Sequence, residues 1–394
     1  MLDVIPIILQ GEDLMKKSLL IATGLVLLST SAFATKTRMT SLGQDTARGS
    51  HYIDDTRNVF MNPAHAGSTT NYVTTEWGTA GSTAEGGFFK EAGSFNYGVY
   101  MNDQSDSQNN IADATSNGYA GVAGFGNAGV VDRSDNLDLF FAGDMGFQWG
   151  ARIGYSASKN KGTTVSAQEQ KHGSMSLGAG AVFGDIEGSV NFVIKDKYEN
   201  TTNASTTESG KVEADNMDIN LGYNWGNWTF YGMYEAKGVD FTSGATKSET
   251  SRNTIMVGAG HTHEVSSTAR IYTDVTYNMA KSEDKLAGAT LAQELKTNNL
   301  KVNLGFEVDA NSWLTLRGSV RQNVLIDSTK TKAATAAALE SDVNGSSTAY
   351  NAGATLNFGK LKVDGNIGTG TGAGAVGDLS TDALLTEVAV HYWF

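Results

Sequence analysis

The residues in this chain best suited to chemistry are two histidines, two glycine clusters and a scatter of charged side chains. His261 and His263 share one face of any extended segment and are followed by Glu264, so a metal pair can be imagined there. A third ligand is not visible, and the plainer reading is a pair of rings at a boundary between apolar and polar surroundings. His51, His65, His172 and His391 are dispersed. No serine, histidine and acid fall together on one strand face or loop, which leaves a hydrolase without its constellation. The absence of cysteine removes disulfides, thiolate metal sites and cysteine nucleophiles at once. Two matches to G-x-G-x-x-G, at 124–129 and 372–377, lie in Gly-rich loops, whereas a dinucleotide site needs a strand before and a helix after. These residues point to no enzyme, no metal and no cofactor.

The charges that do form a pattern are Arg152, Glu187, Asp218, Glu235, Arg270, Asp274, Lys301, Glu307, Arg317, Arg321, Lys362, Asp364 and Glu387. Each falls on the polar face of a segment whose other face is apolar. If the apolar face meets lipid, these side chains must line a wet interior, because a charge at the bilayer midplane is expensive. Glu187, Asp218 and Glu235 come from consecutive segments, and Arg270, Lys301, Arg317 and Arg321 from the next ones round. At one height the two arcs would set up a transverse field that focuses small charged solutes. The alternative is that they neutralise one another and select nothing.

The elements that must position these residues are strands. The stretch 145–155 alternates apolar with small or polar residues for eleven positions. Similar alternation recurs at 175–183, 186–194, 217–225, 228–236, 269–279, 302–308, 314–320, 350–358, 361–367 and 384–394. Weaker candidates at 72–77, 86–90, 95–101, 137–141 and 254–265 bring the total to 16. Tight turns are expected at 91–94, 143–144, 184–185, 226–227, 265–267, 309–312 and 359–360. They alternate with polar loops near 102–135, 157–173, 196–214, 238–252, 281–297, 327–347 and 369–382. Outer-membrane barrels have this asymmetry, with short periplasmic turns and long extracellular loops.

Bulk properties agree. The chain has 394 residues, 46 of them glycine, a formal net charge of −13 and a mean hydropathy of −0.25. Met15-Lys16-Lys17, an apolar run over 19–28 and Ala32-Phe33-Ala34 read as a secretory signal over 15–34, with 1–14 an upstream start that forms no structure. The leader holds three acids and two bases, so 394 − 34 = 360 mature residues carry −13 + 1 = −12. That sign argues against nucleic acid as a partner. No apolar stretch of 18 residues follows the leader, so a spanning helix is excluded. Pro63 is the one mature proline, as continuous ladders require.

Phe141, Phe147, Phe183, Trp225, Trp228, Phe358, Tyr392 and Phe394 all fall at the turn end of their strands, the arrangement of an interfacial aromatic girdle. The expectation is an all-β transmembrane antiparallel β-barrel of about 16 strands over 71–394 in a bacterial outer membrane. Residues 35–70 precede it as a plug or an oligomer seam. No backbone group can stay unpaired in hydrocarbon, so the last strand must pair with the first or with a neighbouring subunit.

The segment Asp54-Asp55-Thr56-Arg57-Asn58-Val59-Phe60-Met61-Asn62-Pro63-Ala64 resembles an acidic, aromatic Asn-Pro-Ala motif of several porin-like and hydrophobic-substrate transporter families. Joined to the start Thr35-Lys36-Thr37-Arg38-Met39-Thr40-Ser41-Leu42-Gly43-Gln44-Asp45, it resembles the major porin-like outer-membrane proteins of predatory Bdellovibrio-type bacteria, most closely as far as Trp77. That resemblance implies a ring-shaped homo-oligomer, tetramer to hexamer, whose wall encloses outer-membrane lipid. The Pro-Glu-Phe-Gly-Gly-like signature of trimeric diffusion porins is absent. Leu384, Thr386, Val388, Val390, Tyr392 and Phe394 form one face of the last strand, a pattern that resembles the signal read by the barrel-assembly machinery.

The first expectation for function is therefore a porin-like barrel that passes small solutes or ions, or organises the membrane as an oligomer. A FadL-like transporter of hydrophobic compounds is the alternative, suggested by Asn62-Pro63-Ala64, and would need an apolar lumen pocket and a lateral opening.

Overall fold

The computed structural model describes residues 36–69, 71–78, 84–103, 136–161, 169–201, 210–243, 246–285, 293–332, 340–344, 348–371 and 387–394. The expected leader, both G-x-G-x-x-G matches, most of the 102–135 loop, Leu384 and Thr386 lie outside them.

The strands are β1 (Tyr72–Trp77), β2 (Glu85–Ala92), β3 (Phe95–Met101), β4 (Leu137–Asp144), β5 (Gln148–Lys161), β6 (Glu169–Phe183), β7 (Ile186–Thr201), β8 (Gly210–Trp225) and β9 (Trp228–Ser243). They continue as β10 (Thr246–Ser266), β11 (Ala269–Lys285), β12 (Gln293–Asn311), β13 (Leu314–Lys332), β14 (Glu340–Asn344), β15 (Thr348–Phe358), β16 (Leu361–Thr371) and β17 (Glu387–Trp393). Successive strands pair antiparallel, and β14 and β15 share one position beside β13, so the 17 strands occupy 17 − 1 = 16 positions. The sheet closes on itself within one chain: β17 pairs with β1 from Tyr72↔Trp393 to Trp77↔Val388. No edge is left among these strands, which is the condition for standing in hydrocarbon.

Two-residue turns join many strands at one end. Gly184 and Gly226 hold φ values of 57° and 61° while Asp185 and Asn227 do not turn positive, the pattern of type II′ hairpins. The strand expected over 145–155 starts later, at Gln148. Gly146 takes φ 88° and donates its N–H to Asp144 Oδ1 at 2.7 Å, so 145–147 form the turn and 143–144 remain strand. At the other end the strands overrun their expected limits. β10 runs for 21 residues, and much of the 157–173, 196–214, 238–252 and 281–297 loops is hydrogen-bonded ladder. The outer face there is polar while Tyr198, Val212, Val239 and Phe241 are buried on the inner face, so the outward apolar stripe stops while the ladder continues.

The molecule is inside-out. On β8 the outward residues Leu221, Tyr223 and Trp225 are 60%, 47% and 66% exposed, while inward Asn216, Asp218 and Asn220 are buried. Outward apolar residues run from Met217 to Trp225 on β8, nine residues. At ~3.4 Å per residue and the ~40° tilt usual in such barrels they span roughly 23 Å, which matches a bilayer's apolar band. Above the band the outward face changes to lysine and glutamate, as in Lys211–Glu213 and Lys281–Glu283.

Candidate functional site

Residues 36–69 fill the barrel. A short helix, α1 (Lys36–Ser41), leads into two 3-10 turns, Thr56–Phe60 and Pro63–Gly67. Asp55 caps the first by accepting the Arg57 N–H at 2.8 Å. Asn62 caps the second by accepting the Ala64 N–H, with Pro63 at the position where a missing N–H costs nothing. The segment touches the inner faces of strands all round the wall, so it is a plug and not an external seam. Two apolar clusters hold it: Val59, Phe60, Tyr72, Phe89, Tyr100 and Phe140 on one side, and Met39, Leu42, Ile53 and Tyr272 on the other.

Buried ion pairs set its position. Arg57 donates to Glu85 at 2.8 Å and to Asp103 at 2.5 Å. Asp103 also receives Arg152, which pairs with Asp138 at 2.8 Å, and both guanidinium groups lie over the Phe60 ring, at 4.1 and 4.7 Å. Arg38 engages Glu307 and Asp55. Glu307 takes Arg317, Arg317 takes Asp364 at 3.2 Å, Asp364 meets His391, and His391 Nδ1 meets Thr74 Oγ1 at 2.9 Å. One polar chain thus runs from the plug through β12, β13, β16 and β17 to β1.

The wall makes room for the plug with glycine. A side chain at Gly150 would overlap the Pro63 carbonyl, one at Gly180 the Asn62 side chain, one at Gly353 Ser41 and one at Gly260 the Tyr52 ring. These inward glycines were not singled out in the sequence, although glycine on the charge-bearing face of consecutive strands is a readable sign of close backbone approach.

All 13 charged residues expected to line the interior lie on inward faces, but the plug changes what they face. Glu187 accepts from His65 at 2.8 Å and from Asn62, Glu235 pairs with Arg48 and Lys237, and Glu387 accepts from Thr40 at 2.9 Å. Asp218 accepts from Asn191 and Asn220, and Asp274 from Tyr231 and Thr276. Arg270 stands 3.6 Å from Glu264, Lys362 lies 5.2 Å from the Trp393 ring, and Arg321 is opposite Asn303 in the ladder. Of the two alternatives, a transverse field or mutual neutralisation, the contacts are neutralising pairs: Arg48 and His65 of the plug meet Glu235 and Glu187, and Arg317 meets Glu307 and Asp364. Lys301 borders a cavity of about 110 Å³ between the plug and β8–β12, lined by Asp45, Arg48, His51 and Asp274 together with Met61, Met233 and Met256. His51 stacks on Tyr231 at 4.5 Å, and burial, above the smaller opposing pull of Glu187, pushes its pKa down to about 4.

The eight girdle aromatics all point outward and are 37–67% exposed. His261 and His263 share the outer face beside Trp228, with His261 4.5 Å from that ring. Among the described residues no group of three or more His, Asp and Glu is placed to hold a metal. A closed barrel with an apolar outer band, framed by rings at the turn end and by charge at the hairpin end, crosses a membrane with strands. The protein is an outer-membrane β-barrel.

No family model matches the chain, and no curated protein matches it either. Among solved structures it is similar to a Pseudomonas aeruginosa FadL homologue, with 10% identity, 91% of this chain and 98% of that chain covered, and a TM-score of 0.41. It is also similar to the CymD monoaromatic hydrocarbon channel, with 10% identity, 90% and 96% covered, and a TM-score of 0.39. OmpT, an outer membrane protein of Vibrio cholerae, matches with 12% identity, 82% and 95% covered, and a TM-score of 0.35.

Proposed function

We propose that this is a porin-like barrel held closed by its own first residues, so that solutes pass only when the 36–69 plug moves. The observation that carries the reading is that Arg38 and Arg57, both on the plug, are pinned by acids on the wall. A wall face lined by Asn, Ser, Asp, Glu and Arg is suited to water, and the plug occupies the space that water would take. Planar-bilayer recording tests the idea. The intact protein is expected to be silent or to open rarely, and a variant lacking 36–69 to give steady ohmic steps. Silence of both, with the truncated barrel shown to be folded, overturns it.

A hydrophobic-compound transporter is the second reading. It is favoured by the seating of Asn62-Pro63 over the glycines of β5 and β6 and by the aromatic cluster around Phe60. Co-purified fatty acid or aromatic ligand, found by mass spectrometry in a silent barrel, would select it. The homo-oligomer implied by the Bdellovibrio-type resemblance would be a ring of complete barrels, since each chain pairs β1 with β17 itself. Its mass in mild detergent tests that part.

A further inference from the structure

We infer that the outer face of β5–β7, just above the apolar band, is a binding site for the phosphate groups of outer-leaflet glycolipid. The outward apolar residues of these strands end at Tyr155, Met175 and Ile194. Within the next two outward positions come Lys159, Lys171, Lys195 and Lys197, which surround a cleft of about 640 Å³ floored by Tyr155. Each outward step is ~7 Å along a strand, so the ammonium groups stand at headgroup depth with their stems over the acyl boundary.

A β-bulge assembles the cluster. On β7 the odd residues Glu187, Ser189, Asn191 and Val193 face inward, but the register shifts between Val193 and Asp196, and beyond it Asp196 and Tyr198 are the buried ones. Ile194 and Lys195 both turn out, and Lys197 and Glu199 follow. Without the bulge Lys195 and Lys197 would enter the lumen. Bulges re-aim side chains in this way.

The charge balance differs from that of the rest of the belt. Elsewhere at this height lysines stand among carboxylates: Lys211 with Glu213, Lys247 with Asp240 and Glu249, Lys281 with Glu283 and Glu294. In the cleft, four lysines share Glu169 and Glu199. Glu169 holds Lys171 at 2.7 Å and Lys159 at 3.1 Å, Glu199 holds Lys197, and Lys195 has no ion pair among the described residues. The excess of two positive charges at headgroup depth fits a multiply phosphorylated lipid anchored from below by its acyl chains.

The test is retention of lipid A by purified barrel in mild detergent, read by native mass spectrometry. Bisphosphorylated lipid A is expected to be retained about tenfold more than its dephosphorylated form. Lys195→Gln with Lys197→Gln is expected to remove that preference, and Lys247→Gln with Lys281→Gln to leave it unchanged. Millimolar inorganic phosphate alone is expected to bind weakly and not to displace the lipid. Heat-modifiable migration shows which variants are folded. If the first pair misfolds, Lys159→Gln with Lys171→Gln reads the same site. Equal retention of both lipids, full retention by the cleft variants, or displacement of the lipid by millimolar phosphate each overturns the assignment.

Discussion

Arg38 of the plug meets Glu307 of β12 in a two-pronged contact, Nε to Oε2 at 2.8 Å and Nη2 to Oε1 at 3.1 Å, with its third nitrogen on Asp55 at 2.9 Å. A planar fork on a carboxylate fixes direction as well as distance. Arg38→Ala leaves Asp55 and half of Glu307 buried without a cation, which is expected to weaken plug docking by roughly 3–5 kcal/mol. Open-channel probability in bilayers should rise accordingly, while Lys211→Ala, on an exposed pair, changes stability by less than about 1 kcal/mol.

The glycine seat gives a steric prediction. Gly180→Val forces Asn62 off the wall and is expected to open the barrel much as removal of 36–69 does, with the β ladder intact by circular dichroism. Gly232→Ala is the control. Its Cβ would meet nothing closer than 3.5 Å, so function should be unchanged.

Docking should weaken in acid because of His51. Its pKa is about 4 when docked against an ordinary value near 6.5, so the docked state holds fewer protons through that interval. The His51 contribution is therefore nil above pH 6.5, grows as pH falls and is complete below about 4, at most roughly 3 kcal/mol. In stronger acid, protonation of the wall carboxylates Glu187, Glu235 and Glu307, which pair with His65, Arg48 and Arg38 of the plug, continues the weakening. Conductance recorded from pH 7 to 4.5 should rise in the natural protein. In His51→Phe that rise should be absent.

The last residue has an assembly prediction. Phe394 is half exposed on the outer face that also holds Val388, Val390 and Tyr392, and its N–H donates to the Asn71 carbonyl at 2.9 Å, beside the β1–β17 closure. Deleting Phe394 is expected to lower the yield of folded barrel in the outer membrane several-fold without reducing export to the periplasm. Normal membrane yield would count against a role in assembly.

The wall was legible because lipid and lumen impose opposite demands on alternate residues: Met217, Ile219 and Leu221 against Asp218 and Asn220 state the register outright. The last strand's choice between the first strand and a neighbouring subunit was not legible, since backbone pairing leaves no mark on side-chain type. The upper hairpins were missed as strand because their outer face meets water and is polar, as between Ala236 and Asn253, where the apolar Val239 and Phe241 turn inward, opposite to the phase of the wall below. The bulge at Ile194-Lys195 has no composition signal, so Lys197 and Glu199 were not placed. The plug was foreseen only as one of two options. Its contacts come from isolated residues such as Arg38, Arg57 and Asn62, which have no period, and its seat is made of glycines, which have no side chain to read.

Arg38 and Glu307 are 269 residues apart in the chain, and the polar relay beyond Glu307 involves β13, β16 and β17. The stretch that opens the described residues is thus received by almost the last part to be made. Its socket does not exist while the early strands are being laid side by side. The seat of Arg38 is therefore complete only once β12, β13, β16 and β17 are in place, so full docking of the plug and closure of the wall fall at the same late stage.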